Sequence, residues 1–311
     1  GLQPDSARAA FVEKLAASLM VALSAAALFV VSRRRLELGF ALFLTAIYAF
    51  GTSSFSTSAG ALWQHGPGQL CLALALLWMD PEGRGHPILS ALALGGAVAM
   101  RNTNALVALP LGVWLLVQHR EHFWKMGLAA AALPLALLAY YLAVFGAPGP
   151  EYENIHMGLA SGFRQIPLSE GLFGVLVSPM RGLFTHSPVL LLAFVGVAVA
   201  IVRRDRFITV VFVSALAVVP LVAKWFVWWG GHCFGPRLLS DAMPLWVLAL
   251  SPALCLEKWP GKLLRGIALS LGMLSIGIGT LGAALYDGRH DAYAFTDLRY
   301  ENLMRGGGGQ G

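Results

Sequence analysis

Apolar runs recur from one end of this chain to the other, and that feature leaves it few ways to fold. Stretches such as Val21–Val31 and Leu190–Val202 carry no charge at all, and the connections between them are short and polar. Of the 311 residues, 57% are hydrophobic and only 12% charged, about half the charge of a soluble domain. Mean hydropathy is +0.69. A β-barrel would show short alternating segments instead of long unbroken runs. The chain therefore reads as all-α, a polytopic membrane protein.

A span needs about 20 apolar residues. Ten runs approach that length, near 12–32, 36–54, 66–80, 87–101, 104–118, 126–146, 186–202, 207–225, 241–257 and 263–285. The piece Leu172–Val177 is too short to cross and predicts an interfacial or re-entrant helix in an external loop. Residues 1–285 form one transmembrane domain in this reading, and 286–311 an external tail that is flexible from about 305, where glycine dominates.

The net charge of +6 does not point to nucleic acid, because the basic residues are spread over short loops and form no stripe. Counted on alternate loops, they fall on one side: Arg33, Arg34 and Arg35; Arg84; Arg120 and Lys125; Arg203, Arg204 and Arg206; Lys258, Lys262 and Arg265. The positive-inside rule places that side in the cytoplasm. The opposite stretches, 146–185, 224–240 and 286–311, then lie outside, and so does residue 1. An external start followed by an even number of spans predicts a chain that lacks a first helix and the loop after it. Cys71 and Cys255 sit in apolar runs and only Cys233 in a loop, so no disulfide is expected.

The external stretches hold the unusual chemistry. Trp228-Trp229-Gly230-Gly231-His232-Cys233-Phe234-Gly235-Pro236-Arg237, continuing through Asp241 to Pro244, puts indoles, an imidazole, a guanidinium and a carboxylate into one turn-forming loop. Such groups beside a membrane core are costly unless they bind something. The same side carries Gly51-Thr52-Ser53-Ser54-Phe55-Ser56-Thr57, Trp63-Gln64-His65-Gly66-Pro67-Gly68, Arg101-Asn102-Thr103-Asn104, and a long loop with Glu151, Tyr152, Glu153, Asn154, His156 and Arg164. Ser178-Pro179-Met180-Arg181-Gly182 closes that loop.

Arg101, Arg181 and Arg237 are candidate ligands for a lipid phosphate, since guanidinium forks match phosphate oxygens and stay charged. His65, Trp228, Trp229 and His232 are the candidates for holding a sugar or acceptor. Each has a plainer reading: Trp63, Trp228 and Trp229 as belt anchors, Arg101 snorkelling to headgroups, the histidines as hydrogen-bonded structural groups. A general base would come from Glu151, Glu153 or Asp241, and no spacing singles one out. Closely spaced zinc-type pairs are absent, so no metal is expected and a divalent ion is not indicated.

In order and sidedness, Gly51-Thr52, Trp63-Gln64-His65-Gly66-Pro67, Ala99-Met100-Arg101-Asn102-Thr103-Asn104, Ser178-Pro179-Met180-Arg181-Gly182-Leu183-Phe184, Ser187-Pro188 and Trp228-Trp229-Gly230-Gly231 through Gly235-Pro236-Arg237, Asp241 and Pro244 resemble bacterial members of the GT-C superfamily. These are integral-membrane glycosyltransferases related to protein O-mannosyltransferases and the lipid A aminoarabinose transferase. The resemblance covers about residues 36 to 285. It implies transfer of a sugar from a polyprenyl-phosphate donor to an acceptor lipid, glycan or protein on the external, periplasmic face of a bacterial inner membrane. Family members carry their key acidic residue in the first external loop, of which only Gly1–Ala10, with Asp5, would remain here. The alternatives from the residues alone are a transporter or lipid flippase with an anionic-ligand site, and a surface-polysaccharide polymerase or ligase.

Overall fold

The computed structural model describes residues 7–79, 85–148, 166–225, 227–256 and 261–286. Among these residues every regular element is helical and no strand occurs. Helix α1 is Ala7–Arg33, α2 Leu38–Phe50, α3 His65–Trp78, α4 Pro87–Met100, α5 Asn104–Gln118 and α6 Phe123–Phe145. Next come α7, Leu168–Val177, the single turn α8, Leu183–His186, and α9, Leu192–Val202. Then follow α10, Arg206–Ala217, α11, Val219–Lys224, the short α12, Met243–Leu248, and α13, Ser251–Leu254, and finally α14, Gly261–Leu285.

Helix α1 shows how these runs fold. Its buried residues Ala17, Val21, Ser24, Leu28 and Val31 recur at three- and four-residue spacing, which is one helical face. The opposite face carries Phe11, Leu15, Leu19, Leu23 and Val30, all exposed. An exposed face as apolar as the buried one requires a hydrocarbon solvent. Helix α6 carries this further: Met126 is its one buried residue, while Trp124 and Leu128 are 78% and 74% exposed. It is held to α4 by close backbone approach, since a Cβ at Gly95 would run into the Ala130 carbonyl.

Four helical stretches are long and apolar enough to cross a membrane: Ala7–Arg33, Arg120–Phe145, Arg206–Lys224 and Gly261–Leu285. They fit a membrane protein. The other apolar helices among the described residues are 10–17 residues long, short of the full hydrocarbon thickness at about 1.5 Å per residue. The run 241–257, expected as one span, is instead a broken path: a 3₁₀ turn over Arg237–Ala242, then α12 and α13, which carry Pro244 and Pro252 in their first turns. Proline removes the amide that would continue the preceding helix. Met243 to Leu250 are at most 1% exposed apart from Pro244, itself buried, so this segment is the centre of the bundle and not one of its walls.

The predicted interfacial piece is a helix, α7, seated on α11 and on the Trp228 ring through Gly171 and Gly174.

The helices alternate in direction, which gathers the chemistry at two ends. At one end Arg34 donates to the Leu77 carbonyl (2.7 Å), Arg35 pairs with Asp205 (2.6 Å) and Arg265 donates to the Leu254 carbonyl (3.1 Å). At the other, the starts of α3 and α5 meet the end of α4 and the loop that precedes α12.

Candidate functional site

The Trp228–Asp241 loop is shaped by its glycines. Gly230, Gly231 and Gly235 have φ of 76°, 74° and 82°, the left-handed region open to glycine and costly for other residues. This lets the chain fold back on itself between α11 and the 3₁₀ turn. Arg181 then holds the fold from outside. Its Nε donates to the Trp229 carbonyl (3.0 Å), Nη2 to Gly231 (3.0 Å) and Nη1 to Met180 (3.1 Å), with 4% of the residue exposed. From the α2 side, Ser56 and Thr57 both donate to the Phe234 carbonyl at 3.2 Å. The Ser178–Gly182 turn and the Gly51–Thr57 stretch thus converge on this loop.

The 3₁₀ turn carries Asp241 into the bundle, where 2% of it remains exposed. Its Oδ2 accepts from Arg101 Nη1 and lies 3.0 Å from His65 Nδ1. Arg101 Nη1 also lies 3.2 Å from His65 Nδ1 and 3.4 Å from the Leu238 carbonyl. The end of α4, the start of α3 and the 3₁₀ turn are therefore tied at one carboxylate oxygen. The other oxygen, Oδ1, is buried and has no hydrogen-bond partner among the described residues. It rests against Gly68, where a Cβ would collide with it and stand 3.2 Å from Asn104 Nδ2. Asn104 spends that amide on the Ala97 carbonyl (3.0 Å).

Arg237 begins the same turn. Its guanidinium lies over the Trp63 ring, 4.4 Å from the centroid, and its buried Nε has no partner among the described residues. Burial lowers its pKa from the ordinary arginine value, and the neighbouring Arg101 and Arg181 lower it further. Three guanidinium groups thus crowd one loop, with Asp241 the acid committed to Arg101.

The sequence candidates therefore divide. Arg101, Arg237, His65 and Asp241 stand together, and Arg181 is on the far side of Gly231 holding the loop. Trp229 supplies a carbonyl to Arg181 and stacks edge-on against Trp228, with centroids 5.9 Å apart. Trp228 is 7% exposed and turns its ring toward Gly174 of α7. His232 is exposed on the loop. Glu151 and Glu153 lie outside the described residues, as do Tyr152, Asn154, His156 and Arg164.

Behind Asp241 runs a line of buried polar groups that sequence reading passed over. Ser24 and Tyr48 share a 2.6 Å hydrogen bond, Tyr48 donates to Gln69 (3.1 Å), Gln69 to the Ser240 carbonyl (2.7 Å), and Ser240 to Ser53 (2.8 Å). The signal was present, since Gln69 and Tyr48 are polar groups inside apolar runs. Trp63, whose plainer reading is a belt anchor, lies under the Arg237 guanidinium. Among the described residues no three His, Cys, Asp or Glu side chains cluster to hold a metal ion.

Compared with family models, curated proteins and solved structures, the chain gives no match.

Proposed function

We propose that this chain is an integral-membrane glycosyltransferase that takes a sugar from a polyprenyl-phosphate donor, with the phosphate held between Arg101 and Arg237. One observation carries the reading: two arginines flank a single turn beside an apolar bundle, and Arg237 keeps an unsatisfied buried donor while stacked on Trp63. A guanidinium so placed is desolvated yet lacks a carboxylate among the described residues, and an anionic headgroup entering from the membrane supplies one. The Trp63 face suits a sugar on that phosphate. In this reading Arg181 shapes the loop and does not touch the donor, because its nitrogens already donate to backbone carbonyls.

The shorter apolar helices complete the bundle, so that with the broken central path it holds about ten membrane segments. The Arg34–Arg35–Arg265 end faces the cytoplasm and the Arg101–Arg237 end faces out.

The test is transfer of tritiated sugar from polyprenyl-phosphate-mannose and polyprenyl-phosphate-aminoarabinose into membrane acceptors, with retention of polyprenyl phosphate by the purified protein as a second readout. Arg237→Ala is expected to lose both. Equal transfer by Arg237→Ala and wild type removes this site from the reaction.

A further inference from the structure

The contacts at His65 favour one of its nitrogens as the proton carrier. Nδ1 lies 3.0 Å from Asp241 Oδ2 and 3.2 Å from Arg101 Nη1. A carboxylate only accepts and a guanidinium only donates. A lone-pair Nδ1 would face the carboxylate lone pairs, and Nδ1–H faces the Arg101 donor; the carboxylate is the nearer of the two, so the geometry favours Nδ1–H donating to Asp241. Arg101 then stands beside the ring as a second donor to the same oxygen. The remaining nitrogen, Nε2, carries the imidazole lone pair and has no hydrogen-bond partner among the described residues. An imidazole oriented through Nδ1 by a buried carboxylate, with Nε2 open, is the arrangement of a general base. It is rigid: the His65 and Asp241 side chains are 5% and 3% exposed, and Gly68, one turn along α3, admits the carboxylate against the backbone.

We propose that His65 is the catalytic base of the transfer described above and Asp241 its positioning residue. The inference rests on that reading of the site, because it is the proposed phosphate position that puts an acceptor hydroxyl beside Nε2. In the step, the acceptor O–H gives its proton to Nε2 while its oxygen bonds to the anomeric carbon. The bond from that carbon to the phosphate oxygen breaks, and its electron pair stays on the polyprenyl phosphate. Arg237 and Arg101 hold that added charge. Asp241 stabilises the imidazolium until it returns its proton to water. Three charged groups face the ring: Asp241 on the 3₁₀ turn, Arg101 at the end of α4, and Arg237 beside Trp63.

The experiment compares wild type, His65→Ala, His65→Gln and Asp241→Asn for retention of polyprenyl phosphate and for sugar transfer across pH. His65→Ala is expected to retain the lipid within about threefold yet transfer about 10²- to 10⁴-fold more slowly, the span that general-base catalysis supplies. The wild-type rate is expected to rise with pH through one ionisation that is missing from His65→Ala. Asp241→Asn, which keeps the shape and removes the charge, is expected to bind the lipid and transfer slowly. If wild type transfers and His65→Ala transfers within threefold of it, His65 is not the base and the donor-site reading stands. If His65→Ala loses binding and transfer together and His65→Gln restores both, the residue is structural and the inference fails. If His65→Gln restores binding alone, the inference holds. A wild-type protein that neither retains the lipid nor transfers sugar overturns the donor-site reading and this inference with it.

Discussion

Two arginine–aspartate pairs sit at opposite ends of the bundle and do opposite work. Arg35 and Asp205 meet at 2.6 Å with 22% and 27% of their side chains exposed. Both oxygens of Asp205 are used: Oδ2 by Arg35, and Oδ1 by the Ile208 amide (3.1 Å), which caps α10. Arg35 also lies over Phe207, 4.9 Å from the ring centroid. That pair closes helix ends and leaves nothing open. Arg101 and Asp241 are 13% and 3% exposed, one oxygen serves two partners, and the other serves none among the described residues. A pair that concentrates its bonds on one atom in a buried place is poorly spent as a staple. It is well arranged to hold His65 and Arg101 in fixed directions.

Burial sets the size of the effect when each pair is broken. Arg101→Ala leaves the Asp241 charge buried without its cation, a loss of about 3–5 kcal/mol, whereas Arg35→Ala costs about 1 kcal/mol or less because water reaches both partners. Thermal unfolding in detergent should rank the two variants that way. Equal losses would mean that Asp241 is relieved by water and that its burial is not maintained in the folded protein. The next effect is steric. Gly68→Ala pushes a methyl into Asp241 Oδ1, and overpacking of that kind costs about 1–3 kcal/mol. Gly266, where a Cβ meets nothing within 4 Å, is the control site, and its alanine variant should unfold with wild type or slightly above it.

How much of this was legible in the sequence follows from the range of the interactions involved. The helices of the bundle were readable because hydropathy is local, and the starts of α3, α4 and α5 fall within a residue of the apolar runs that predict them. The run 241–257 misled because apolar composition says that a segment is removed from water, not whether lipid or protein removes it. Pro244 and Pro252 were the available clue that it is broken. The loop around Arg237 stood out because charges are rare in such a chain. Its wiring did not: Arg101 and Asp241 are 140 positions apart, and pairing at that separation is set by tertiary packing. Equally hidden was the division of labour among three similar arginines. Arg181 faces carbonyls and Arg237 faces a ring, a difference of direction that residue type does not encode.

At the cap, Asp205→Ala removes the acceptor for the Ile208 amide as well as the partner of Arg35, and about 1–2 kcal/mol of stability should go with it. Asp205→Asn keeps the cap and loses only the ion pair, so it should recover most of that loss. If it recovers none, the ion pair carries more than the helix end does, and the contrast with Asp241 narrows.

The smallest effect on stability should accompany one of the larger effects on binding. Trp63 is 45% exposed, and its contact with Arg237 contributes only about 0.5–1 kcal/mol at a site of that exposure. Trp63→Ala should therefore unfold within about 1 kcal/mol of wild type while losing retention of polyprenyl phosphate, because Arg237 is left without the surface that holds it over the site. Trp63→Phe keeps a ring and should lie between the two in retention. A variant that loses stability in step with retention would place Trp63 among the staples, beside Phe207 under Arg35. One that keeps its stability and loses the lipid would place it, with Arg237, on the working side of the comparison.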